Sequence, residues 1–208
     1  MPFAHACMQD LATQISGSGY TVILSDTDGI ILDTKSDPIY RKEIERAGIR
    51  SGISWDEKYK GTNAIGTCIA EQKPLTVHKD EHYKSENVIL TCSAAPIFDP
   101  FGGLLAVLDA SSPARDSTKP HQAHTLALVT NTAHSVENFN LLKAHENSWI
   151  LRFHRRREYV GFMDDAIFSI DELGMIKGLN SCAFQLFVND ADRINLLGVP
   201  VDTIFDVS

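Results

Sequence analysis

The 208-residue chain has no C-x-x-C pair, and no apolar run approaches the ~20 residues that span a bilayer. Its four cysteines, Cys7, Cys68, Cys92 and Cys182, are widely scattered. They read as reduced thiols rather than a disulfide framework. The start, "MPFAHACMQD", offers neither the basic opening nor the apolar stretch of a signal peptide. Positive charge is in deficit: 19 Lys and Arg against 27 Asp and Glu leave a net −8. That balance argues against a chain built to hold nucleic acid by neutralising phosphates, although a basic island, "RFHRRRE" (152–158), stands against it. These absences predict a soluble, cytoplasmic protein with no membrane contact and no direct nucleic-acid contact.

What is present is ordinary globular material, 43% hydrophobic, with room for one large domain or two small ones. Ala4, Cys7, Met8, Leu11 and Ile15 recur at three-four spacing, which predicts a helix over 4–15. "YTVILSDTDGIILDT" (20–34) reads as two strands joined at Asp28-Gly29. A short helix follows at 39–47, then a loop at 52–63 with Trp55 embedded in it. "AIGTCIAEQ" (64–72) is a helix for which Thr62 or Asn63 is suited as cap. "KPLTVHK" (73–79) is a strand, and "VILTCSAAPIFDPFGGLLAVLDASS" (88–112) is two apolar strands around a Pro-Gly turn. A long helical pattern from Pro120 to about Trp149 carries two stripes. One is Leu128, Thr132, Ser135, Phe139 and Leu142. The other, Leu126, Val129, Ala133 and Val136, is the one expected to meet a partner helix and dimerise. Residues 166–187 then repeat strand, turn, strand and short helix. The result is an α+β chain with an antiparallel sheet flanked by helices over 1–150, a solvated basic linker at 151–157, and a second domain at 158–208. With two clear strands the second domain looks incomplete, as if the chain were a piece of something longer.

The chemical signals cluster in "YKGTNAIGTCIAEQKPLTVHKDEHY" (59–83). "GTNAIGT" lacks the Lys-Ser/Thr of a phosphate loop and reads as a tight turn before a capped helix. His78 and His82 are four apart, but His78 sits at a strand end and the His-Glu-x-x-His order is absent. A metal shared with Cys68 or Cys92 stays as one reading, and pocket or surface histidines as the other. Cys92 and Ser93 lie in a strand with no nucleophile elbow around them. Trp55 either closes the core or forms a lid over a ligand. No complete catalytic set emerges, so no enzyme and no cofactor are expected.

Taken together, "SGSGYTVILSDTDGIILD", "WDE-x-x-x-GTNAIGTCIAE", "PLTVH-x-x-EHY" and "LTCSAAPIFDPFGGLLAVLDAS" resemble the GAF domain of acetoin-type regulators. These are bacterial sigma-54-dependent transcriptional activators of acetoin, glycerol and dihydroxyacetone metabolism. "FHRRREYVGFMDDAIFSIDELGMIKGLNSCAFQLF" is similar to the entry of the PAS domain that this family places next. The resemblance implies a GAF-like fold followed by an incomplete PAS-like segment, with an AAA+ ATPase and a helix-turn-helix in a longer parent chain. It implies a sensory region that binds a small ketone, diol or alcohol and signals through a dimerising helix. The pocket would take Trp55 as lid, Asn63 and His78 as first hydrogen-bonding residues, and Thr67, His82, Cys92 and Ser93 around them. Asn63→Ala would then silence the ligand response with the fold intact. The alternatives are a module that receives a protein partner and a thiol or metal sensor using Cys68, Cys92 and His78.

Overall fold

Residues 20–36 fold as the hairpin their alternation predicts. In the computed structural model, which describes residues 2–113, 118–156, 158, 160–161, 165–187 and 196–204, strand β1 (Thr21–Ser25) pairs antiparallel with β2 (Ile31–Ser36). The chain divides into two units, one of Met1–Ile97 with Leu104–Ala133, the other of Phe98–Gly103 with His134–Ser208. The first is built on a five-stranded sheet in the order β2-β1-β5-β4-β3, where β3 is Leu75–His78, β4 is Thr91–Phe98 and β5 is Leu104–Ser112. Helix α1 (Pro2–Gln14) packs on β1 and β2 and buries Ala4, Met8 and Leu11 at the predicted spacing.

Strand period decides which residues share a face. Ile23 stands opposite Asp109, Thr21 opposite Ser111, and Val77 opposite Cys92. Ile23, Val77, Cys92, Ala94 and Val107 therefore look to one side, where they join Ile31, Ile44, Ile49, Trp55, Ala64, Ile65 and Cys68 in a continuous core. Ile44 comes from α2 (Arg41–Arg46), and Ala64, Ile65 and Cys68 from α4 (Ala64–Glu71). The loop between them holds a single turn, α3 (Glu57–Lys60), and is stitched to the hairpin by Ile31 N–H to Ile53 carbonyl and Trp55 N–H to Gly29 carbonyl. Gly29 is at φ +71°, and a Cβ there would stand 2.6 Å from the Asp56 nitrogen, so glycine is required for this approach.

Helix α5 (Lys119–Ala144) ends before the predicted Trp149. Val129, Ala133 and Val136 on it are buried, whereas Leu128 is 37% exposed. The stripe expected to dimerise is thus the one that faces inward, and Leu128, Thr132, Ser135, Phe139 and Leu142 form the more open one.

In the second unit β6 (Trp149–Phe153), β7 (Ala166–Ile170) and β8 (Ile176–Leu179) form a three-stranded antiparallel sheet, with α6 (Ser181–Phe187) following. Strand β6 occupies the start of the span predicted as a solvated linker. Leu151 and Phe153 alternate with Arg152 and pack on the unit's core, which the basic neighbours had masked. Phe153 stacks on Phe168 at 5.2 Å between centroids, and Phe187 meets both edge-on. Asn180 ties the unit together by accepting from Ile167 and Ala183 N–H and donating to Asn138 and the Asp165 carbonyl. Parts of the predicted PAS-like segment, 162–164, 188–195 and 205–208, lie outside the described residues.

A tight chamber as candidate functional site

The inner face of the five-stranded sheet is apolar except at its centre. There Asp109 and Ser111 on β5 point the same way as Ile23 and Cys92, toward α4 and the Trp55 loop. Ile49, Trp55, Asn63, Ala64 and Ile65 complete a chamber over them. Its gap totals about 180 Å³ and nowhere widens enough for a water.

Asp109 is fully buried. Its Oδ2 accepts from the Ser111 hydroxyl at 2.6 Å, whereas its Oδ1 has no partner among the described residues. Among the described residues no cation lines the chamber, and burial raises the Asp109 pKa to about 7 against the lowering effect of Ser111.

Of the seven residues expected in the pocket, the structure gathers Trp55, Asn63 and Cys92. Trp55 is 2% exposed and closes the chamber, its indole N–H donating to the Gly48 carbonyl at 3.3 Å and the Lys60 ammonium 5.1 Å from its ring. Asn63 lines the wall, but both its amide protons are used: Nδ2 donates to the Trp55 and Gly61 carbonyls at 2.8 Å, while Oδ1 caps α4 by accepting from Gly66 N–H at 2.9 Å. It cannot also be the donor to a ligand. Gly66 sits so close beneath that a Cβ would stand 2.7 Å from the Glu57 nitrogen.

Thr67, His78, His82 and Ser93 are placed elsewhere. The Thr67 hydroxyl donates to the Glu57 carboxylate. His78 and Ser93 fail on parity: their neighbours Val77 and Cys92 face the chamber, so they face the opposite side of the sheet. There His78 Nδ1 meets the Thr91 hydroxyl at 2.9 Å, and Ser93 bonds Thr76 and Gln122, which in turn donates to Tyr20. His78→Ala is accordingly expected to keep a wild-type ligand response and to change stability by less than about 1 kcal/mol. A thermal-shift titration reads both, and loss of response with the fold intact would restore His78 to the site.

His82 stands behind Cys92, with Nε2 3.5 Å from the thiol. Its Nδ1 faces the Lys79 carbonyl, which can only accept, so Nδ1 carries the proton and Nε2 accepts from the Cys92 S–H. Burial raises the Cys92 and Cys68 thiols and lowers His82, so the pair rests neutral rather than as thiolate and imidazolium. Among the described residues no three His, Cys, Asp or Glu side chains converge as a metal site needs. Neither observation favours a thiol or metal sensor. A wider cleft of about 630 Å³, bordered by Tyr20, Lys35, Asp37 and Arg41, holds groups already paired: Lys35 with Asp33, Arg41 with Glu45, and Asp37 with the Gly17 and Gly19 N–H groups.

The family model for MimR, N-terminal domain, matches residues 1–135. The acetoin catabolism regulatory protein of Cupriavidus necator is 35% identical over 202 residues, 96% of this chain and 30% of that protein. The propane 2-monooxygenase operon transcriptional activator MimR of Mycolicibacterium smegmatis is 29% identical over 121 residues, 56% of this chain and 21% of that protein. The chain therefore spans less than a third of the length of either relative. Among solved structures, the Escherichia coli DhaR(N)–DhaL complex matches over 97% of this chain and 67% of that one, with TM-score 0.61 and 21% identity, which establishes a shared GAF-like fold.

Proposed function

The chain belongs to the MimR N-terminal domain family, and from that premise we propose that it is the signal-receiving region of a sigma-54-dependent transcriptional activator. In this reading it binds a small neutral oxygenated metabolite in the chamber of the first unit. The ATPase and DNA-binding functions reside in further domains of a longer parent chain. Relatives named for acetoin catabolism and for a propane monooxygenase operon support a sensory role for the shared region. The observation that carries the reading is the family match over residues 1–135, which spans the sheet face where the buried polar pair Asp109 and Ser111 lies. A ligand there would bias α5 between two arrangements, and the half-exposed stripe from Leu128 to Leu142 is the face available to a second copy.

The test is a thermal-shift panel of acetoin, dihydroxyacetone, glycerol, butanediols, simple ketones, phenols and Zn²⁺. A ligand at 100 times its Kd adds about 2.7 kcal/mol, a shift of several degrees for a chain of this size. At least one neutral oxygenated compound is expected to produce it. A second reading, a module that receives a protein partner, is favoured by a chamber too tight for water. The DhaR N-terminal region was crystallised with DhaL, a protein. Trp55 itself is buried, while Tyr59 in its loop and Tyr83 beside Gly61 are exposed, which adds to that reading. Silence across the panel from folded protein would decide for the partner.

A further inference from the structure

Basic side chains converge where the sequence suggests only a solvated linker. Strand β6 ends at Phe153, and His154 then turns back on its own chain, its Nδ1 3.1 Å from the Arg156 nitrogen. His154 and Arg155 stand with His134 of α5 and with Cys182, Gln185 and Leu186 of α6 around a cleft of about 340 Å³. All six residues belong to the second unit. Unlike the chamber, this cleft has room for a ligand as it stands, at the small end of the range for binding pockets. His134 and His154 are half-buried, Arg155 is exposed, and the Cys182 thiol lies 3.8 Å from His134 Nδ1. Acidic side chains outnumber basic ones 27 to 19 in the chain, yet among the described residues no carboxylate lines the cleft. Glu137 lies within electrostatic reach of His134, but its oxygens are engaged by Phe98 N–H, Ser181 N–H and the Ser181 hydroxyl.

We propose that this cleft is a second binding site, for a compact carboxylate or phosphate anion held by Arg155 with the His134 and His154 imidazoles. The planar guanidinium offers parallel N–H groups that match two oxygens of either anion. Each imidazole offers an N–H in either tautomer and a positive charge when protonated. The Gln185 amide adds a neutral donor, and Leu186 and Cys182 give an apolar wall for a short carbon chain. A cationic ligand would meet like charge with no carboxylate to offset it. A neutral one would leave the guanidinium without a counter-charge. A nucleic-acid backbone suits the cleft less than a compact anion does, because its many phosphates need an extended basic surface and the chain carries a net −8. The site is independent of the chamber, in the other unit and of a different ligand class. Its occupant would bridge α5, the turn after β6 and α6, so it would give the helix proposed to carry the signal a separate input.

The experiment is a calorimetric titration of the chain at pH 7 and low ionic strength with inorganic phosphate, ethyl phosphate, succinate and neutral trimethyl phosphate. Wild type is compared with Arg155→Gln and Arg156→Gln. Arg156 carries the same charge one residue along, is exposed, and does not line the cleft, so it controls for the general positive field of the island. At least one anion is expected to bind wild type, and trimethyl phosphate is not. The phosphates against succinate show which anion chemistry the cleft takes. Arg155→Gln should weaken the binding about 10-fold, as for hydrogen bonds to a charged group, and Arg156→Gln should stay within about twofold. Both arginines are exposed, so both variants should melt with wild type. Binding of no anion, equal binding of trimethyl phosphate, or an unchanged affinity in Arg155→Gln overturns the proposal. Equal losses in the two variants, the pattern of an open basic surface for a nucleic-acid backbone, overturn it as well. None of these outcomes bears on the chamber, whose ligand panel is read separately.

Discussion

Asn63→Ala is expected to lower the stability of the first unit by about 3 kcal/mol, and not to spare the fold while silencing a response. The sum has three parts. Loss of an N-cap costs about 1 kcal/mol. Two carbonyls, Trp55 and Gly61, then lose their donor in a site the Asn63 side chain fills with 0% exposure, at about 1 kcal/mol each. The cap, the lid loop and the chamber wall meet in this one amide, so the loss should fall on the unfolding of the whole unit. Asn63→Asp separates the parts: the carboxylate still caps α4 and suits the positive end of the helix, but cannot donate to the two carbonyls. With its second oxygen buried against two carbonyl oxygens, its expected loss is at least that of alanine despite the retained cap. Urea unfolding followed by tryptophan emission in a Trp149→Phe background reads the first unit through Trp55. An alanine midpoint within about 0.5 kcal/mol of wild type would return Asn63 to the role of a dispensable ligand contact.

Most of the fold was legible because its signals are local. The Asp28-Gly29 turn, the Asn63 cap and the apolar alternation of β4 and β5 each specify their element without reference to the rest. Of the residues expected to line the chamber, Trp55, Asn63 and Cys92 do so, and for two of the four placed elsewhere, His78 and Ser93, the cause is strand parity. Naming Cys92 and Ser93 together, or His78 beside Val77, ignores that adjacent strand residues cannot share a face. Once Val77 and Cys92 are given to the chamber, His78 and Ser93 belong to the other side. The same parity would have found Asp109, a lone carboxylate in "LLAVLDASS" that alternates in step with Val107 and Ser111. Which of the two α5 stripes turns inward was not written in the helix alone, since both are moderately apolar and only the packed structure chooses Val129 and Ala133. Strand β6 was hidden by composition: its alternation of Leu151 and Phe153 is real, but the arginines that follow dominate the stretch.

Asp109→Asn should stabilise the protein, by an amount that grows with pH. The folded-state pKa of Asp109 is raised to about 7 from a reference of 3.8, so folding favours the protonated form. Below about pH 4 the group is neutral in both states and costs nothing through ionisation. Between there and pH 7 the unfolded chain releases the proton and the folded chain holds it, and stability falls as pH rises. Above pH 7 the full penalty stands, about 4 kcal/mol at 1.36 kcal/mol per unit. Asparagine fits the same space without the charge. The gap between variant and wild type should therefore be small near pH 4, widen through pH 5 and 6, and level off above 7. Taking the difference matters, because Asp33, Asp37 and Glu81, lowered on folding, and Glu137, raised on folding, also bend the wild-type curve and cancel only in the comparison. Urea midpoints of both proteins from pH 4 to 8 give the result directly. A gap that is flat in pH, or a variant less stable at pH 8, would mean that Asp109 is stabilised in the fold by something other than its one bond to Ser111.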